Sequence, residues 1–331
     1  MYKMNWKISA GNYNLKMIES VNVKRSVESL VDSATITLPA TVFNKTLNID
    51  EKIKRGDEVK IELGYDDDKN LQTELEGYVE SISTDGGSLV INCEDGIFLY
   101  RVAIPDKQFA NVKVKDILDY VNKEVGKKQN KNFSLKCDYD FSYNKFVIKN
   151  ANGYDVLKKI QEEAKPNIYL KGEELHIHPQ YSEIFGEAKY DFSKNIDAGG
   201  TDLKYKKKEN RRVKVTIEYT GADGKTKKYE HGDMGGESIT RKTSTSDQKS
   251  IKLLADQEYQ SKSYDGYEGS FQAWLVPFCD AGYKATIIDP DYDYKDGTYY
   301  VPEVETTFSQ QGGVRKITLG KIIAKENDES K

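Results

Sequence analysis

The sequence predicts a mostly β chain with an α+β insert, in which two related β regions flank a small mixed unit. Three observations carry this. The first hundred residues alternate apolar and polar side chains in short runs. Near residue 106 the period becomes helical. From about residue 190 β character returns, and part of it echoes the first region. A chain of 331 residues is long enough for two or three domains.

The first region, 1–105, is built from alternating runs. Val21-Asn22-Val23-Lys24-Arg25 is one, and Ala34-Thr35-Ile36-Thr37-Leu38, stopped by Pro39, is the next. Val59–Leu63 follows the turn Arg55-Gly56-Asp57. Gly77–Ser83 and Ser88–Asn92 are joined by a loop with Gly86 and Gly87, which is a hairpin signal. Short strands at this spacing suggest a sandwich or a barrel.

In the middle region, 106–190, Val114, Ile117, Leu118, Val121 and Val125 recur at helical spacing, with Gly126 as a stop. Phe146-Val147-Ile148 is a short strand. Val156, Leu157, Ile160 and Ala164 mark a second helix closed by Pro166. Ile168–Leu170 and Leu175–His178 form strands around the turn Lys171–Glu174. In the last region, 191–331, Val213–Tyr219 is a strand running into the turn Gly221–Gly224. Ser246–Lys262 is a helix with Ile251, Leu254, Ala255 and Tyr259 on one face, and the chain frays after Ala324.

The echo pairs Gly77–Thr84, Gly86-Gly87 and Leu89–Ile91 with Gly297–Thr306, Gly312-Gly313 and Ile317–Leu319. Gly56 before Val59–Leu63 matches Gly282 before Ala285–Ile288, and Asp66–Asp68 matches the Asp-rich loop 289–296. Two hairpins with Gly-Gly turns would look alike for local reasons. A duplicated β domain is the sharper alternative, and a trimer of such chains would present six similar units around one axis.

Composition excludes several classes. Acids exceed bases by 54 to 50, so a net charge of −4 gives no global pull toward nucleic acid or an anionic membrane. Aromatics make up 11%, with 23 Tyr, which argues against intrinsic disorder. No window approaches the ~18 consecutive apolar residues of a membrane span. Met1–Trp6 runs into strand-like sequence without a signal-peptide core. Cys93, Cys137 and Cys279 form no Cys-x-x-Cys pair, so neither a disulfide framework nor a zinc knuckle is expected, and folding in a reducing cytoplasm fits.

Candidate chemical motifs are few. His176-x-His178 sets two imidazoles on one face of a strand, as a metal site can begin. Only His231 remains among the histidines and no Cys or acidic cluster has matching spacing, so a polar strand end before Pro179 is expected and no metal. Asp289-x-Asp291-x-Asp293 opens like a calcium loop, but Tyr294 and Tyr300 occupy the positions that need Gly and Glu, leaving a solvated loop. Lys204–Arg212 is a basic run holding Tyr205, read as a charged loop or edge strand rather than a phosphate-binding patch. Phe271, Trp274 and Phe278 are read as packing rather than a sugar platform. No nucleophile elbow, phosphate loop or His-Glu-x-x-His occurs, and no catalytic residue or cofactor is assigned.

The ordered set of elements resembles the phage tail baseplate hub family: late control protein D, the Mu-like and T-even tail hubs, and the hub portion of type VI secretion spike proteins. The resemblance rests on Val21–Arg25 with Ser33–Ile36, Arg55–Val59, Glu76–Val79, the helices Val114–Val125, Val156–Ala164 and Ser246–Lys262, and Gly269 through Trp274 to Pro277. It continues through Ala281–Tyr283, Gly297–Val301 and Thr306–Leu319. Its motif positions are Gly56, Asp57, Gly77, Gly282, Gly297, Tyr300, Gly312 and Gly313. The resemblance implies two tube-type β-barrel domains per chain, a homotrimer around a channel, and a structural role joining the tail tube to a spike. Partners would be the tube or its initiator, other baseplate proteins and a separate spike, since the chain ends at Lys331 without a β-helix extension. It further implies a virion component assembled in the host cytoplasm, neither binding nucleic acid specifically nor inserting in a membrane. A tail-associated cell-wall hydrolase or a carbohydrate-binding β-protein is the alternative.

Overall fold

The alternating runs become strands whose apolar side chains face a common core. Ser20–Ser26 buries Val21 and Val23 and turns Lys24 to solvent, and Ser88–Asp95 buries Leu89, Ile91 and Cys93 in the same period. The computed structural model describes residues 3–39, 52–85, 87–221 and 223–324. The predicted fray after Ala324, and Gly86 and Ala222 of the two predicted turns, lie outside the described residues.

The chain is mostly β, with three α-helices among the described residues. Its largest sheet has 11 strands. From one edge they run Lys204–Lys206, Gly266–Trp274, Gly312–Leu319, Glu303–Ser309, Ser20–Ser26, Ser33–Leu38, Ser88–Asp95, Gln72–Asp85, Glu58–Tyr65, Met4–Ala10 and Tyr13–Asn14. Strands from the two ends of the sequence are therefore neighbours. Ser20–Ser26 pairs antiparallel with Glu303–Ser309, from Ser20↔Ser309 to Ser26↔Glu303.

The echo corresponds to a repeated strand order. In the first repeat, 20–26, 33–38, 88–95, 72–85 and 58–65 are successive neighbours. In the second, 204–206, 266–274, 312–319 and 303–309 take the corresponding places, and 297–300 and 283–288 continue the order in a separate sheet. Pro302 divides what is one strand, Gln72–Asp85, in the first repeat, because proline supplies no N–H to the ladder. Both Asp-rich loops hold a short 3-10 turn, Asp68–Asn70 and Asp293–Lys295. The repeats differ at their ends: Met4–Ala10 pairs antiparallel with Glu58–Tyr65, whereas Gly186–Asp191 pairs parallel with Tyr283–Ile288.

No sheet closes on itself among the described residues, so the expected tube-type barrels are open sheets in this chain. The physical reason is visible in the pairing. Ser20–Ser26, which would have to meet the far edge of the first repeat to close it, is hydrogen-bonded to the second repeat instead. The free edges of the large sheet, Tyr13–Asn14 and Lys204–Lys206, are short, and the latter carries two lysines, both devices that discourage further pairing.

The insert packs α1 (Val114–Gln129) and α2 (Gly153–Ala164) against the antiparallel strand pair Lys107–Lys113/Ser142–Ile148 and the sheet of Pro166–Lys171, Glu174–Pro179 and Ser134–Cys137. Its core also takes in Ile97, Leu99, Tyr100 and Ile104 from before the expected boundary. Helix α1 passes through the predicted stop at Gly126 and ends at Asn130 in the left-handed region. Gly126 is needed for another reason: a Cβ there would lie 2.6 Å from the carbonyl oxygen of Lys131, whose N–H donates to the Gly126 carbonyl at 3.0 Å past the helix end. Helix α2 begins on a reciprocal Asn152/Asp155 cap. A third helix, α3 (Gln248–Lys262), starts at the Asp247 cap and covers the strands Val213–Thr220, Thr226–Gly232 and Glu237–Thr243. It is tied to the insert through the Ser142 N–H, which donates to Ser250 Oγ at 3.0 Å.

Candidate functional site

The seam between the repeats concentrates buried charge. Arg315, on Gly312–Leu319 of the second repeat, is 1% exposed and Glu74, on Gln72–Asp85 of the first, is 3% exposed. The guanidinium Nη2 donates to Glu74 Oε1, Nη1 donates to the Leu275 carbonyl at 2.8 Å, and Nε donates to Thr306 Oγ1 at 3.3 Å. Thr306 in turn donates to Glu74 Oε2 at 3.1 Å, and the guanidinium lies 4.7 Å from the Phe278 ring centre. The pair is thus satisfied on several sides, the condition under which a buried ion pair is tolerated.

A second cluster lies beside it. Arg25 Nε donates to Asp32 Oδ2 at 3.0 Å, and Nη1 donates to Asp280 Oδ2. Burial alone would lower the Arg25 pKa, but Asp32 and Asp280 outweigh it and hold the group charged. Burial pushes the Asp280 carboxyl up to about 6, against the pull of Arg25. Burial and the Asp32 charge also push Asp95 up, while its Oδ1 caps the turn Gly96–Tyr100 by accepting from the Ile97 N–H at 3.0 Å. These groups face a cleft of about 860 Å³ between the first repeat, the insert and residues 280–283. Its walls combine the charged Arg25, Asp32, Glu74, Asp95 and Asp280 with apolar side chains such as Leu75.

The motif positions fall at turns and strand positions of both repeats. Gly56 has φ +92°, and its N–H donates to the Val79 carbonyl at 2.8 Å; Asp57 Oδ2 accepts from the Lys54 N–H at 2.9 Å. Gly77 faces Asp95 across the ladder, where a Cβ would sit 1.9 Å from the Glu94 carbonyl oxygen. Gly282, at φ +83°, lies against Phe185, whose ring a Cβ would meet at 2.4 Å. Gly297 starts its strand opposite Ile287. Tyr300 is buried with its ring 5.2 Å from that of Tyr181. Gly312 and Gly313 do not form the second hairpin turn. That turn is Gln310-Gln311, and the glycines open the returning strand, where a Cβ on Gly313 would meet Leu275 at 2.6 Å.

The remaining sequence motifs find other partners. Lys204–Lys206 is an edge strand; Tyr205 packs edge-on against Tyr267 at 5.3 Å, and buried Arg211 donates to the Gly266 carbonyl at 2.8 Å. The Asp289 loop is not simply solvated: Asp289 is buried, and its Oδ2 accepts from Tyr267 Oη at 2.6 Å. Phe271 is fully buried, Trp274 is 63% exposed, and Phe278 stacks on Arg315, so the three rings share no platform. His176 and His178 stand at the polar strand end before Pro179 and are buried there, and a carboxylate, Glu183, reaches them from the following segment.

Solved structures share this fold over nearly all of the chain. The chain superposes on the tail protein from Neisseria meningitidis MC58 with a TM-score of 0.64 and 15% identity, covering 97% of each chain. The 43 kDa tail protein of prophage MuSo2 from Shewanella oneidensis gives 0.62 at 14% identity, covering 96% of this chain and 98% of that one. The fold is that of phage tail proteins. The c3393 protein of E. coli has the same tail-protein fold. It is a type VI secretion component described as structurally similar to the T4 tail proteins gp27 and gp5, and it aligns at 0.57 with 9% identity over 97% of this chain and 77% of its own. No protein-family model matches the chain, and no curated protein matches it in sequence. Tail and secretion-spike proteins are the set anticipated from the resemblance to tail hubs. Among the described residues, no helix of this tail-protein fold is long and apolar enough to cross a membrane.

The seam residues were not legible in the sequence. Glu74 and Arg315 are 241 positions apart, and Asp280 and Arg25 are 255 apart, so no local spacing marks them. The matched echo was the one available signal, because it implied that the two β regions are related, though not that they share an edge.

Proposed function

We propose that the chain is a structural baseplate hub of a phage tail or related contractile injection apparatus. It acts as a homotrimeric ring that joins the tail tube to a separate central spike. The observation that carries this is the repeated strand order, joined edge to edge by the pairing of Ser20–Ser26 with Glu303–Ser309. Three chains then supply six similar β units, so a three-fold ring offers a pseudo-six-fold surface to a six-fold tube while its other end keeps three-fold symmetry for the spike. In this reading each open sheet is a segment of tube wall. The units divide at 1–105, 106–190 and 191–331, and the motif glycines keep the wall's turns and crossings tight. The role is mechanical, without a catalytic residue or cofactor. The ring is built in the host cytoplasm and ends in the virion beside tube, spike and other baseplate proteins.

Light scattering behind size exclusion tests the assembly. The expected mass is three times the 37.7 kDa chain, with six lobes in averaged electron micrographs. A monomer at micromolar concentration that stays monomeric when its tube and spike are added overturns the reading.

A further inference from the structure

The histidine pair acquires in three dimensions the acid it lacks in local sequence. His176 and His178 stand two residues apart on Glu174–Pro179, so their rings leave the same face, and they are 5% and 1% exposed. Tyr169 lies directly opposite His176 on the neighbouring strand. The chain then turns back through residues 180–185 toward the second β repeat and brings in Glu183.

Four polar atoms converge. His176 Nδ1 is 3.2 Å from His178 Nε2, which is 3.1 Å from Glu183 Oε2. Tyr169 Oη is 3.0 Å from His176 Nδ1 and 2.7 Å from Glu183 Oε2. Each outer ring nitrogen faces a second carboxylate. His178 Nδ1 is 2.7 Å from Asp138 Oδ1, and His176 Nε2 is 2.9 Å from Glu174 Oε1, although the latter is not aligned as a hydrogen bond.

The proton count decides what belongs in the middle. An ionised carboxylate only accepts, so the hydrogen bond to Asp138 favours the proton on His178 Nδ1 and leaves Nε2 of that neutral ring as a lone pair, whereas Glu174 lies near His176 Nε2 without an aligned hydrogen bond. With the His176 proton on Nε2, the tautomer a metal at Nδ1 requires, the centre holds two nitrogen lone pairs and a carboxylate oxygen, with one hydroxyl proton to share among them. Such a group is short of positive charge. The 3.2 Å and 3.1 Å separations about His178 Nε2 also suit a metal, since ligands about 2.0–2.1 Å from a tetrahedral ion lie roughly 3.3 Å from one another, and the three ligand atoms all lie within 4.8 Å of one another. Carboxylates on the outer nitrogens are the usual means of orienting imidazole ligands.

The geometry points to a binding site for a divalent first-row transition metal of the zinc class, with His176 Nδ1, His178 Nε2 and Glu183 as ligands and Tyr169 Oη or water at the fourth position. The role is structural. Glu183 belongs to the crossing from the insert to the second repeat. Phe185 in that crossing packs edge-on against Tyr169 at 5.5 Å and donates its N–H to the Gly282 carbonyl at 2.9 Å. An ion on the two histidines would therefore fasten the crossing to the insert. The site stands whether or not the chain assembles as a hub. Its competitor is a proton, with a charged His178 bridging Asp138 and Glu183.

The full chain, stripped with a chelator and dialysed, is titrated with cobalt(II) and then zinc(II). The expected result is the intense visible absorption of four-coordinate cobalt, saturating at one ion per chain, abolished by zinc and accompanied by a higher Tm with zinc. His178→Gln and Glu183→Gln should lose the signal. Asp138→Asn should weaken binding about 10–100-fold. His231→Gln, whose ring pairs with Asp256 elsewhere, should bind as the unaltered chain does. Absence of one-per-chain saturation in the unaltered chain overturns the proposal in favour of the proton, even if the variants fail to fold. Unchanged binding by a folded Glu183→Gln overturns it as well.

Discussion

Removing the Glu74 carboxylate would leave a guanidinium stranded at the seam of the two repeats. Arg315 is 1% exposed and would keep only its bonds to the Leu275 carbonyl and Thr306. Breaking a buried pair from one side costs about 3–5 kcal/mol, because the remaining charge has neither water nor a counter-ion. Against a total stability of about 5–15 kcal/mol, Glu74→Ala should bring the chain close to unfolding. Glu74→Gln keeps an acceptor but loses the charge, and should cost about 1.5–3 kcal/mol. The double change Glu74→Leu/Arg315→Met removes both charges and fills the space with apolar atoms, so it should return to within about 1 kcal/mol of the parent. Urea unfolding followed by tryptophan fluorescence suits the measurement, since Trp6 sits in the first repeat and Trp274 in the second. If the seam couples the repeats, both probes report one transition in the parent. A Glu74→Ala cost below about 1 kcal/mol, or a double variant as unstable as the sum of the single changes, would refute the argument.

Two further outcomes follow from the same region. Gly77→Ala places a Cβ 1.9 Å from the Glu94 carbonyl oxygen, so the ladder between Gln72–Asp85 and Ser88–Asp95 must part. The expected result is a Tm lowered by several degrees or insoluble protein, and a Tm within one degree of the parent would contradict it. Asp280, pushed up to about 6 from 3.8 by burial, binds its proton more tightly in the folded chain than in the unfolded one. Its contribution therefore becomes more favourable as pH falls from about 6 toward 3.8 and is withdrawn above 6. The Tm difference between the parent and Asp280→Asn should move in the parent's favour on acidification through that window, and movement the other way would show that the carboxyl is not held up by burial.

Much of the secondary structure was legible because it is a local property. Val21 and Val23, or Leu89 and Ile91, show by alternation which face of a strand is buried. Val114, Ile117, Leu118, Val121 and Val125 show the same for a helix. The echo between Gly77–Ile91 and Gly297–Leu319 likewise announced the repeated strand order, since similar sequence makes similar strands and turns. Even here, detail escaped: Gly126 and Gly313 resemble a stop and a turn, yet both are glycines because another chain segment lies against them.

What covers each buried face was decided only in three dimensions. Periodicity says that Ser20–Ser26 has an inner face, but not that its edge pairs with Glu303–Ser309 and joins strands of both repeats in the 11-stranded sheet. Glu74 and Arg315 each look like ordinary surface charges in sequence; burial and mutual satisfaction across the seam make them a pair. His176 and His178 were legible as neighbours on a strand face, whereas Glu183 and Asp138 join them through a chain reversal and a parallel strand pairing that no local spacing encodes. The physical division is one of range. Backbone conformation and side-chain direction follow from neighbours a few residues away, while partners, burial and charge state depend on which surfaces meet after the chain has closed on itself.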